Sequence, residues 1–167
     1  MMRKFAIEFK WALISIFLFL AWMTLEKVLG YHDVNIKWQP VFNLLYIFPM
    51  FIVYLLALLE KKKKYYQDQM NWKQGMISAV VISFIIVFFS PITQFLIHEI
   101  ISPNFLENTI NFTVSQKKLT LTEAKEYTTL TSSIWKNISD GLSFGVVIGA
   151  IVAYLIQSKP IETNKKT

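Results

Sequence analysis

The side chains able to do acid, base or ligand chemistry gather in two short stretches and at one isolated position. Glu26, His32 and Asp33 form the first stretch, Gln94, His98 and Glu99 the second, and Asp140 stands alone. Carboxylates beside imidazoles can pass protons or hold a cation, and ionisable groups inside apolar segments are costly enough to mark candidate sites. With only two histidines, and neither placed four residues from another ligand on a helix, the pattern predicts no metal site. No cysteine is present, so thiolate zinc sites, iron–sulfur clusters, disulfides and thiol nucleophiles are excluded. No complete catalytic or nucleotide motif occurs, and no cofactor is expected.

The elements that must position these residues are four apolar stretches, at about 11–29, 41–59, 75–97 and 134–156. Each has roughly the 20 residues that a helix needs to cross about 30 Å of hydrocarbon. Hydrophobic residues make up 54% of the 167, which excludes disordered and ordinary soluble classes. The expected fold is all-α: a single membrane domain over residues 1–167, a four-span transmembrane helical bundle whose immediate partner is the lipid bilayer. At 1.5 Å per residue, Glu26, Gln94 and Asp140 lie roughly 22, 28 and 27 Å above the inner ends of their spans. A bundle can therefore gather Glu26, His32, Asp33, Gln94, His98, Glu99 and Asp140 into one polar cluster in the outer leaflet. Three readings stay open: interhelical hydrogen-bonding glue, with Glu26 paired to Lys27 or Lys136; a proton or cation site; and catalysis.

Direction follows from charge. Segments 1–10, 60–74 and 157–167 carry 11 Lys and Arg, against 4 in segments 30–40 and 99–133. Lys and Arg stay on the cytoplasmic side, so both termini, including a tail at 157–167, are expected inside. The first span lacks a convincing pair of small residues for cleavage and reads as an uncleaved anchor. The formal charge of +6 belongs to these flanks rather than to a basic stripe, so no nucleic-acid partner is expected. The run Lys61, Lys62, Lys63, Lys64 reads as a stop-transfer anchor beside anionic headgroups.

Local signals refine the elements. Pro49 predicts a kink in the second span. Pro91 interrupts the third and frees a carbonyl near Val87, for which Thr93 or Gln94 is the expected partner. The extracytoplasmic loop at about 99–133 is expected to be helical: Leu106, Ile110 and Val114 have helical spacing, and Thr120 with Glu123 has capping-box spacing. In the fourth span Gly141, Gly145, Gly149 and Ala153 recur every fourth residue, a pattern that lets helix backbones approach closely. That face serves either packing within the chain or a homo-oligomer.

Leu25, Glu26, Lys27, Val28, Leu29, Gly30, Tyr31, His32 and Asp33, with Trp72 to Gly75, Ser90 to Gln94 and Ile101 to Pro103, resemble an uncharacterised bacterial integral-membrane family. A Thr-rich run before Glu123 and Ala124 extends the likeness. The family is catalogued as domain of unknown function number four thousand one hundred and ninety-nine. The resemblance implies a four-span protein of the bacterial cytoplasmic (inner) membrane and brings no activity or catalytic residue. The preferred class is a structural or interaction protein, a homo-oligomer or an accessory to an envelope protein partner, and not an enzyme. The rival is a small oligomeric transporter or channel that uses the outer-leaflet cluster for protons or cations.

Overall fold

Prolines and glycines decide where the apolar runs break. The computed structural model describes residues 5–158, and all its regular structure there is helical. Residues 1–4 and 159–167, including most of the expected cytoplasmic tail, lie outside the described residues. α1 (Ala6–Val28) runs without interruption. It ends where Gly30 takes φ +77, which lets Gly30 N–H reach Lys27 O at 2.9 Å and Tyr31 N–H reach Glu26 O at 2.9 Å. These two bonds make a Schellman motif, in which glycine accepts the left-handed backbone that other residues resist. The motif folds the chain back so that His32 returns over the helix it has just left.

The second apolar run does not kink at its middle as Pro49 predicts. It is divided earlier, into α2 (Gln39–Leu44) and α3 (Ile47–Tyr65), and Pro49 sits in the first turn of α3. The missing N–H of Pro49 leaves Leu45 O without its usual partner four residues on, and Phe48 N–H bonds it instead at 3.2 Å. The third run is α4 (Trp72–Phe88) followed by α5 (Ser90–Phe95) and a π-helical turn, Leu96–Ile101. α4 and its continuation bend by 47°. Here the break precedes Pro91, and Thr93 Oγ1 donates to Ser90 O at 3.0 Å rather than to the freed carbonyl near Val87. The loop contains α6 (Phe105–Ser115) and α7 (Leu121–Tyr127), the latter opened by the Thr120–Glu123 capping box. α8 (Leu130–Ile156) begins four residues before the expected start at 134, because Thr129 and Ser132 form a further capping box.

Among the described residues three helical runs, α1, the run Ile36–Tyr65 that contains α2 and α3, and α8, are long and apolar enough to cross a membrane, and a fourth span results if α4 and its bent continuation count as one. The core mixes large apolar side chains, Tyr54, Leu58, Ile82, Ile148 and Val152, with small ones, Ala12, Ala57, Ala79, Ala153, Ser78 and Ser83, while Phe17, Phe84, Phe88, Val147 and Tyr154 are exposed. Such a distribution suits a hydrocarbon solvent, in which large apolar side chains gain little by leaving the surface and small ones let helices close on one another.

The small-residue stripe of α8 faces α4. A Cβ added to Gly141 would lie 2.9 Å from Val87 Cγ1, one on Gly145 would strike Ser83 Oγ and stand 2.6 Å from Tyr54 Oη, and one on Gly149 would strike Ala79 Cβ. Ala153 meets Gly75, where an added Cβ would stand 2.8 Å from Ala153 Cβ. The stripe therefore packs against other helices of the same chain.

Candidate functional site

Glu26 is the hub of the bundle's loop-capped end and is fully buried. One turn earlier on α1, Trp22 Nε1–H donates to its Oε1 at 2.8 Å. Gln39, the first residue of α2, donates from Nε2 to Oε2 at 2.9 Å. His32, returned by the Schellman turn, places Nε2 3.3 Å from the same Oε2. A buried carboxylate costs several kcal/mol unless its lone pairs are met, and these three donors come from three successive segments of chain.

The cap helix α6 joins the hub through His32. Asn108 Nδ2–H donates to His32 O at 2.9 Å, and the Phe105 ring stacks on the imidazole with centroids 4.0 Å apart and planes 17° apart. The same Phe105 ring stacks on His98, at 5.9 Å and 13°. His98 is carried by the π-helical turn, whose wider pitch is a device often seen where a helix must aim one side chain. Both imidazoles are buried, and in both Nδ1 has no hydrogen-bond partner. The tautomer of His32 that serves Glu26 has its hydrogen on Nε2, so its Nδ1 is an unsatisfied acceptor.

The structure thus brings Glu26, His32 and His98 together around Phe105 and buries Gln94 in α5 beside them in sequence. It does not bring the rest. Asp33 and Glu99 are exposed, and Asp140 points outward to an ion pair with Lys136 one turn earlier on α8. Asp140 does not join Glu26, because which way it faces depends on how α8 seats on α4. Lys136 being taken by Asp140, Glu26 finds its partners in Trp22, Gln39 and His32 rather than in a lysine. Trp22 and Gln39 were not legible as site residues; the signals for them were the four-residue spacing of Trp22 from Glu26 and the helix-starting Gln39–Pro40 pair.

A second polar cluster closes the opposite end. Lys61 Nζ reaches Glu8 Oε1 at 2.8 Å with both side chains buried, and lies 4.1 Å above the Tyr65 ring. Next to it Glu60 accepts from Lys10, from Trp11 Nε1 at 2.7 Å and from Lys64 at 2.9 Å, while Lys62 donates to Ile156 O at 2.7 Å. The lysine run is therefore divided by direction: part of it ties α3 to α1 and α8. Between the two clusters Ser15 Oγ donates to Trp11 O at 2.9 Å, and Ser83 Oγ lies 3.0 Å from Ala79 O and 2.7 Å from the buried Tyr54 Oη.

Among the described residues no group of three or more His, Cys, Asp or Glu is arranged to hold a metal ion. No curated protein and no solved structure matches the chain. The residues that build the hub, Trp22, Glu26, His32, Gln39, His98, Phe105 and Asn108, all fall within residues 10–158, which match the sequence profile of the family described as protein of unknown function (DUF4199), and the chain belongs to that family.

Proposed function

We propose that this is a four-span protein of the bacterial cytoplasmic membrane, with both termini cytoplasmic, acting as a structural or interaction component and not as an enzyme. Its α6–α7 cap faces the extracytoplasmic side, where it is offered to an envelope protein. The observation that carries this reading is the hub itself: Trp22, His32 and Gln39, which meet the Glu26 carboxyl, belong to the scaffold that seats the cap, so the buried acid serves to hold the cap in place. The outer elements also present large exposed side chains, Val34, Trp38, Ile100, Leu121 and Tyr127, in keeping with a surface that meets headgroups or a partner. A photo-crosslinking residue at Leu121 or Tyr127 in living cells should give a discrete protein adduct. Adducts to lipid alone at both positions would remove the partner from the proposal.

The two unpartnered imidazole nitrogens favour one rival, an oligomer that moves protons or cations through this site. Against it, the Ser15 hydroxyl donates to a backbone carbonyl, which passes no proton on. Proteoliposomes decide the matter: a pH gradient that collapses with the natural protein and persists with Glu26→Gln would replace the structural reading with transport.

A further inference from the structure

We infer that the His32–Phe105–His98 ring stack is a proton-operated latch, which holds α6 on the bundle while at most one imidazole is charged and releases it when the extracytoplasmic side turns acidic enough to charge both. The inference rests on the proposed outward placement of the cap, and it gives that cap a means of regulation.

Three features of the stack carry it. The latch is made of aromatic faces: Phe105, at the start of α6, lies nearly parallel to both imidazoles, so seating α6 requires both rings where they are. Each ring keeps a buried Nδ1 that has no partner. A proton arriving there gains no acceptor as long as α6 stays docked, whereas water offers one as soon as α6 lifts. Histidine is also the side chain whose charge ordinarily changes in mildly acidic conditions, below about pH 6.5.

The surrounding charges set how many protons the docked state can bear. From α1, Glu26 faces His32 at 3.3 Å and compensates one imidazolium. From the cap, α6 contributes the neutral Asn108 and Phe105. From the π-helical turn come His98 itself and the exposed Glu99, and from the Schellman turn the exposed Asp33. Phe105 adds cation–π attraction. One charge is thus accommodated. A second, on His98, meets the first across the same ring, with only a solvent-screened carboxylate nearby and the desolvation cost of a buried charge to bear. Docking opposes the second proton, and by linkage the second proton opposes docking.

The test is amide hydrogen exchange on the full chain in lipid nanodiscs, at about pH 7.5 and about pH 5, corrected for the intrinsic chemical rate. Protection over residues 105–115 should fall at least about tenfold on acidification, while that of α8 is unchanged. His98→Gln, which cannot take the second charge, should keep α6 protected at the lower pH. Equal α6 protection at both values in the natural protein would overturn the latch, as would an unaltered acid response in a folded His98→Gln. Should that variant fail to fold, His32→Gln serves the same comparison and the response of the natural protein still decides. Labelling of Ser115→Cys by an impermeant reagent reports separately on which side the cap lies. A cytoplasmic cap would refute the placement and leave the exchange result to judge the latch itself.

Discussion

Glu26 and Glu8 lie near opposite ends of the same helix and answer the problem of a buried carboxylate differently. Glu26 is met by neutral donors and an imidazole, so its replacement by glutamine sets an amide N–H₂ against donors that need acceptors. Glu26→Gln should therefore lower stability by about 1–3 kcal/mol, read as a fall in unfolding midpoint in mild detergent. A change within measurement error would mean the donors re-pair freely. Glu8 is met by a full cation. Removing either partner, by Glu8→Ala or Lys61→Ala, should cost about 3 kcal/mol because the other stays buried and charged. The apolar pair Glu8→Leu with Lys61→Met should cost far less than the two single changes together, and simple additivity would show that the charges are not coupled. These pairings were only partly legible in the sequence. Residue counts suggest similar depths for Glu26 and Asp140 but say nothing of facing: Asp140 pairs with Lys136 and Glu8 is buried against Lys61, because facing is settled by side chains on other helices.

At the scale of elements, punctuation was more legible than contact. The Thr120–Glu123 capping box opens α7 where its spacing required, whereas Pro49 and Pro91 broke their helices upstream of themselves, where the lost N–H leaves a carbonyl to be re-satisfied. Gly30 carried an unused signal: its position just past the end of α1 marks a Schellman turn, and that turn delivers His32 to Glu26. Bonds from the side chain and backbone of Thr120 hold the Glu123 carboxyl below the ordinary carboxylate range. A folded-state value below the unfolded one means that this contribution is complete above the unfolded value and is lost as pH falls through the folded one. Amide protection in α7, corrected for the intrinsic chemical rate, should fall at acidic pH, and Thr120→Ala should flatten that response. An identical response in Thr120→Ala would assign the acid sensitivity elsewhere. The α8 stripe supports a further prediction. Gly149→Leu drives a side chain into Ala79 and should destabilise the folded single chain, seen as a lower unfolding midpoint at any protein concentration. Loss of a crosslinked dimer with an unchanged midpoint would instead place the stripe between copies.

Across the whole molecule, the ends of the bundle are distinguished by what closes them: lysines with carboxylates at one, imidazoles under a helical cap at the other. Orientation is open to direct measurement because the chain has no cysteine of its own. In cells with a permeabilised outer membrane, an impermeant thiol reagent should label Ser115→Cys on the cap and spare Gln67→Cys between α3 and α4 until lysis. The reverse pattern would invert the proposed topology. The close seating of α8 on α4 also bears on how the protein is made. Gly75, Ala79 and Ser83 of α4 have their partners on a helix that leaves the ribosome some fifty residues later, after the whole cap has been synthesised. For that interval α4 presents a bare groove to the lipid, a form that membrane quality-control proteases and insertion chaperones would meet at every round of synthesis. A chain stopped just before Leu130 should be degraded rapidly, and supplying α8 as a separate polypeptide should rescue it.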